Sequence, residues 1–207
     1  MNRRERKKGD TKDSIITSAI DFFKAKGFNE TSMEEIAEKS DVSKGTLYNY
    51  FRDKESILVA YFQSLIASHS DEINGSLKDS NDIQSQLNNI LDFINKLFRN
   101  DINLASIYFR YRLKTLFNSN PLENTDRSGV EIFVLKIIKH AQDNNEIRSD
   151  IPQVIIVRNF LFLYMNFFIS SVYGKEIFEM DVLKAQLINL FLNGASNNNC
   201  KEGNYAK

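Results

Sequence analysis

The 207-residue chain holds one cysteine, two prolines, eight glycines and no tryptophan. The single cysteine, Cys200 in a polar tail, excludes an internal disulfide framework and suits a reducing cytoplasm. So few helix breakers, set between long periodic stretches, predict an all-α chain. Net charge is missing too: Lys+Arg and Asp+Glu stand at 27 each, so the overall balance gives no support for a nucleic-acid partner. No apolar run follows the basic N-terminal residues, and no signal peptide is expected. Residues 154–173 approach the ~20 residues of a spanning helix. Arg158, Asn159 and Asn166 interrupt that run, however, and such groups are costly at membrane depth. A buried helix at a core or dimer interface is expected instead, with no membrane partner.

Catalytic patterns are also wanting. His69 and His140 lie in different predicted helices, without Cys or paired acids at metal-ligand spacing. Neither a glycine-rich phosphate loop nor a nucleophile elbow occurs. No enzyme activity, metal or cofactor is therefore expected. What is present is an ordinary globular composition, 42% hydrophobic and 26% charged, with charge unevenly placed. Residues 1–12 carry six basic side chains (Arg3, Arg4, Arg6, Lys7, Lys8, Lys12) against Glu5 and Asp10. Residues 1–10 read as a loosely ordered basic arm.

Residues 43–51 (Ser-Lys-Gly-Thr-Leu-Tyr-Asn-Tyr-Phe) organise the rest. As a short helix, Leu47 and Phe51 face inward together, one turn apart. Gly45 and Asn49 then point away, flanked by Thr46 and Tyr48. Ser43 stands at the N-cap, and Lys44 puts a cation where the helix dipole prefers an acid. That inversion makes sense if an external anion docks there. An ordinary amphipathic surface helix fits these nine residues equally well.

The preceding residues decide between the two. Gly27-Phe28 closes a helix over residues 11–26, and Ser32-x-x-Glu35 is a capping box that opens a second. Thr31-x-x-Glu34 offers the same spacing one residue earlier. A three-residue turn, Asp41-Val42-Ser43, leads into the third helix, making a helix-turn-helix. The string Phe23…Lys26-Gly27-Phe28…Thr31-Ser32-Met33-Glu34-Glu35-Ile36-Ala37…Val42-Ser43-Lys44-Gly45-Thr46-Leu47-Tyr48-Asn49-Tyr50-Phe51…Lys54-Glu55…Leu58 closely resembles the N-terminal domain of TetR-family transcriptional repressors. The resemblance covers about the first quarter of the chain. It implies phosphate contacts from Thr31 or Ser32, Ser43, Tyr48, Tyr50 and Lys54, and base-edge contacts from Lys44, Gly45, Thr46 and Asn49. Tyr50 stands where many members have His.

Beyond the motif, a fourth helix over residues 53–74 is expected to link two domains and to break at Asn74-Gly75-Ser76. Ile83, Leu87, Ile90, Leu91, Ile94 and Leu97-Phe98 stripe a fifth helix. Further helices are predicted over residues 102–117, 129–142, 151–173 and 178–192, about nine in all, with a loop containing Pro121 and a disordered tail at 196–207. The expected organisation is a DNA-binding domain (1–55) and a C-terminal helical bundle for ligand binding and dimerisation (56–195). Candidate pocket residues are Phe98, Tyr108, Tyr111, Phe117, Phe133, Asn159, Tyr164 and Asn166. Asn159, Asn166 and Ser170 share one seam of the eighth helix, which can line a pocket, cross a dimer axis or face water. The function expected is a cytoplasmic, homodimeric regulator, joined through the eighth and ninth predicted helices. It is read as a repressor released from a palindromic double-stranded DNA operator by a small apolar or amphipathic effector. The alternative is a helical small-molecule carrier or sensor without DNA binding.

Overall fold

The computed structural model describes residues 2–80, 82–118, 129–174 and 177–195. The side chains of 115–118 and 194–195, the loop with Pro121 and the tail with Cys200 lie outside the described residues. Among the described residues there are ten helices and no strand. They are α1 (Arg3–Lys26), α2 (Met33–Lys39), α3 (Lys44–Tyr50), α4 (Lys54–Ser68), α5 (Ser70–Lys78), α6 (Ile83–Arg99), α7 (Ile102–Asn118), α8 (Val130–Asp143), α9 (Gln153–Tyr173) and α10 (Met180–Ala195).

Two departures from the sequence reading have local causes. The expected basic arm is helical from Arg3, because Asn2 and Glu5 form a capping box: Asn2 N–H donates to Glu5 Oε2 at 3.0 Å, and Arg4 N–H to Asn2 Oδ1 at 3.4 Å. Gly9 does not interrupt the helix; in an exposed interior it costs only ~1 kcal/mol. The expected single helix over 53–74 is two, α4 and α5, divided at His69, whose ring packs edge-on against Phe93 at 5.6 Å. Asn74-Gly75-Ser76 lies inside α5, where burial of Ile73 outweighs the weak propensity of Asn-Gly.

The chain forms two compact units, residues 1–67 with 101–128 and residues 68–100 with 129–207. The first therefore gathers α1–α4 and α7, whereas the sequence pattern places residues 56–195 in the C-terminal bundle with the fourth helix as the link. Its core comprises Ile15, Ala19, Phe23, Ile36, Leu47, Ile57 and Phe62, all at least nine-tenths buried. Phe28 folds back onto Phe23, ring centroids 4.7 Å apart, after Gly27 turns the chain at φ 97°. Tyr108 of α7 packs on Phe62 of α4 at 4.9 Å, so α7 is built into this core.

The second unit is assembled around α6. Asp82 caps it (Ser85 N–H to Asp82 Oδ1, 2.7 Å), and the predicted stripe from Ile83 to Phe98 is buried. Phe98, Tyr164 and Phe168 form an aromatic cluster with centroids 6.3–6.5 Å apart, inside which all three rings are buried. α9 is long and apolar enough to cross a membrane by length and composition, yet one side of it is core: Ile156, Val157, Phe160, Tyr164, Phe167 and Phe168 are buried.

Candidate nucleic-acid interface

The interface is built on a local scaffold of caps. Ser32 opens α2 with a complete capping box: its hydroxyl accepts from Glu35 N–H at 3.2 Å, while Glu35 Oε2 accepts from Ser32 N–H at 2.9 Å. Lys26 binds the other oxygen of Glu35, and together with Ser32 it holds this carboxyl down to about 2. Three backbone bonds close the turn after α2: Ser40 N–H to Ile36 O, Asp41 N–H to Glu38 O and Val42 N–H to Ala37 O. Asp41 takes the left-handed conformation at φ 53°, which Asp tolerates better than most residues. Ser43 then caps α3, accepting from Thr46 N–H at 3.1 Å.

On α3 the division of faces follows the helical period. Leu47 and the C-cap residue Phe51 are buried, while Lys44, Gly45, Tyr48 and Asn49 are exposed and Thr46 and Tyr50 are intermediate. Among the described residues, the side chains of Tyr48, Asn49 and Tyr50 make no hydrogen bond to the protein. The hydroxyls of Ser43 and Thr46 lie 2.8 Å apart, so one donates to the other and one keeps its proton for an outside acceptor. Lys44 Nζ sits 3.3 Å from Glu34 on α2, an exposed, solvent-screened pair that a phosphate can displace. The outward surface is thus a small helix carrying a cation, an amide, a phenol and a hydroxyl, with bare backbone at Gly45. Those are groups that bind phosphate and base edges.

Two of the ten residues expected to contact DNA lie elsewhere. Thr31 is buried, and its hydroxyl donates to Gly27 O at 2.8 Å, closing the α1–α2 turn. Lys54 is turned inward: its ammonium donates to the carbonyls of Phe28 (2.6 Å), Asn29 (3.2 Å) and Thr31 (2.6 Å) and sits 4.8 Å from the Phe28 ring centre. Three N–H groups meet three acceptors, which satisfies the ammonium internally. Ser32 is close to the surface, but its hydroxyl donates to Glu35. A residue that sequence reasoning passed over is Arg52. It follows Phe51 directly, is exposed, and donates through Nε to Asp53 Oδ2 at 3.0 Å and through Nη2 to the Tyr111 hydroxyl. The signal for it was only a cation next to the motif.

The candidate pocket residues separate into three groups. Phe98, Phe133 and Tyr164 are buried in the second unit. Tyr108 and Tyr111 belong to the first unit, packed on Phe62 and bound to Arg52 respectively, while the Phe117 side chain lies outside the described residues. Asn159 and Asn166 are exposed, so neither lines the interior of the second unit. Apart from Val154 in its first turn, the exposed residues of α9 follow one 4-3 stripe: Ile155, Asn159, Phe162, Asn166, Ile169 and Tyr173. Among the described residues no group of His, Cys, Asp or Glu is arranged to hold a metal.

Comparison with known proteins agrees with this geometry. Residues 15–61 match the family described as bacterial regulatory proteins, tetR family. An uncharacterised HTH-type transcriptional regulator of Bacillus subtilis, YvdT, is 27% identical over 179 residues, covering 80% of this chain and 90% of that one. The fatty acid metabolism regulator protein of the same organism is 26% identical over 93 residues, 45% of this chain and 48% of its own length. Among solved structures, Thermus thermophilus FadR, a TetR-family repressor in complex with lauroyl-CoA, superposes with a TM-score of 0.72 at 21% identity, over 88% of this chain and 94% of that chain. FadR from Bacillus subtilis with stearoyl-CoA gives 0.62 at 19% identity, over 87% and 97%. With the helix-turn-helix matched in sequence over residues 15–61 and the all-helical fold matched in structure, these likenesses support a TetR-family transcriptional regulator.

Proposed function

We propose that this regulator is a homodimeric repressor released from a palindromic operator by a long-chain acyl thioester. The observation that carries the DNA half is the outward face of α3, where Lys44, Gly45, Tyr48 and Asn49 are exposed over buried Leu47. Ser43 and Tyr50 bind phosphate beside them, and Lys44, Thr46 and Asn49 read base edges. The effector half is supported by likeness to FadR proteins holding lauroyl-CoA and stearoyl-CoA, and by the buried cluster of Phe98, Tyr164 and Phe168. A flexible acyl chain suits an interior lined by such rings.

Dimerisation is supported by α9. Its 4-3 stripe alternates Ile155, Phe162 and Ile169 with Asn159, Asn166 and Tyr173, which is the spacing of a helix that packs on a second helix. An apolar side facing water without a partner is unfavourable, and asparagines within such a seam fix register. Two α3 helices related by a two-fold axis then meet half-sites about one DNA turn or a multiple apart.

The test begins with the DNA fragments that the purified protein retains from its source genome. One such fragment is titrated with protein in the presence of lauroyl-CoA, stearoyl-CoA or free coenzyme A. Release by the acyl forms and not by free coenzyme A is the expected result. A coupling of ~1–3 kcal/mol weakens operator binding roughly 5–150-fold, and by linkage the thioester binds the operator complex more weakly by the same factor. Equal affinity of the thioester for free and DNA-bound protein would end the regulatory half of the proposal. Failure to retain any fragment would end the DNA half.

A further inference from the structure

Arg52 and Tyr111 are 59 residues apart in sequence but in one compact unit, and their hydrogen bond fastens α7 to the residue that follows the recognition helix. The guanidinium also lies over the Tyr111 ring, 5.8 Å from its centre, and Asp53, which caps α4 through Ser56 N–H at 2.7 Å, takes its Nε. An arginine has five N–H groups in a fixed fork. Here Nε and one Nη2 proton are engaged, which leaves three N–H groups to spare on a side chain that is 67% exposed. That remaining edge has the geometry of a two-point grip on a phosphate.

The neighbouring cations offer no such edge. Lys26 and Lys39 are paired with Glu35 and Asp21, and Lys54 is taken up by three carbonyls. Lys44, whose pair with Glu34 is the most exposed of these, and Arg52 lie at opposite ends of α3. Seven residues of helix span ~10.5 Å, close to the ~12 Å width of the major groove, so the two cations suit the two phosphate backbones that border it.

We propose that Arg52 is a DNA-phosphate ligand and that Tyr111 is its positioning residue, a proposal that rests on α3 being the DNA-reading helix. A free arginine side chain must be ordered when it binds; one already held by Tyr111 and Asp53 needs little further ordering. Because Tyr111 is on α7, a displacement of that helix would also unseat Arg52.

The test uses the full chain and one fragment retained from the source genome, with binding followed by fluorescence anisotropy across a series of salt concentrations. Arg52→Gln is expected to weaken binding on the order of tenfold. It also lowers the slope of log affinity against log salt by about 0.9 per protomer, about 1.8 for the dimer, the signature of one lost phosphate contact on each half-site. Arg52→Lys keeps the slope but loses part of the affinity, since an ammonium lacks the fork. Tyr111→Phe weakens binding several-fold with the slope intact, and the double variant Arg52→Gln/Tyr111→Phe behaves like Arg52→Gln alone. Arg52→Gln with wild-type affinity and slope overturns the proposal while leaving the DNA-binding reading in place. Tighter binding by Tyr111→Phe, or effects that multiply in the double variant, overturns the positioning role. No binding by the wild-type chain overturns both readings together.

Discussion

α3 and α9 each leave one side of a helix unused by their own chain, and the two sides are chemically opposite. α3 buries a single residue of its seven, Leu47, and presents Lys44, Gly45, Tyr48 and Asn49. α9 buries seven of its residues and presents Ile155, Phe162 and Ile169 with two asparagines between them. A polar, hydrogen-bonding surface with a cation at the dipole's positive end invites an anion. An apolar stripe at 4-3 spacing invites another helix. The same folding rule, burial of the apolar side, therefore leaves two unlike surfaces, and the unlikeness separates nucleic acid from protein as partner.

The comparison breaks most visibly on the apolar side. Phe162→Asp should convert the proposed α9 dimer to monomer, because each uncompensated buried charge costs ~3–5 kcal/mol and the two-fold axis doubles it. Sedimentation at micromolar concentration reads this directly, and a wild-type chain that is already monomeric would remove α9 as an interface. Next in size is Leu47→Ala, which should destabilise the first unit by roughly 2–5 kcal/mol through the cavity it leaves. Thermal unfolding measures it, and a change of a few tenths would mean that α3 is not held by Leu47.

Lys54→Met should lower stability by roughly 1–3 kcal/mol, since three carbonyls lose a charged donor. The salt slope of DNA binding should stay as in the wild type. A slope reduced by about 0.9 per protomer would return Lys54 to the phosphate role that family resemblance implies. Tyr48→Phe and Lys44→Ala should each weaken DNA binding several-fold without altering the melt; unchanged affinity in both would discard α3's outward face as the contact surface.

The smallest effect belongs to Glu35→Gln, which keeps the cap but removes the ion pair with Lys26. The folded-state carboxyl titrates at about 2 instead of the usual 4.5. Its stabilising contribution is therefore complete above pH 4.5 and disappears as pH falls toward 2. The melting-temperature gap between wild type and Glu35→Gln should be modest at pH 7 and close over that window. A gap that is independent of pH would mean that the ionised carboxylate contributes nothing.

Legibility in the sequence was uneven along the chain. The caps at Ser32 and Ser43, the buried pair Leu47 and Phe51 and the stripe of α6 were all read correctly, because each depends on spacings of three or four residues. At the start of α1 the basic run points to an arm, whereas Asn2 and Glu5 supply a helix cap. At Asn74-Gly75 local propensity points to a break, whereas burial of Ile73 overrides a cost of ~1 kcal/mol and the helix continues.

By itself the sequence determined an all-helical chain with a helix-turn-helix near its start and a polar outward face on the third helix. Local hydrogen bonds and a period of 3.6 residues suffice for that. Tertiary structure alone decided which cations remain available to DNA. Lys54 is drawn onto carbonyls 23–26 residues earlier, and Arg52 is held by a tyrosine 59 residues later. It also decided that Asn159 and Asn166 face outward rather than into the second unit. Helical period divides a helix into sides, but which side is covered depends on what distant segments bring against it.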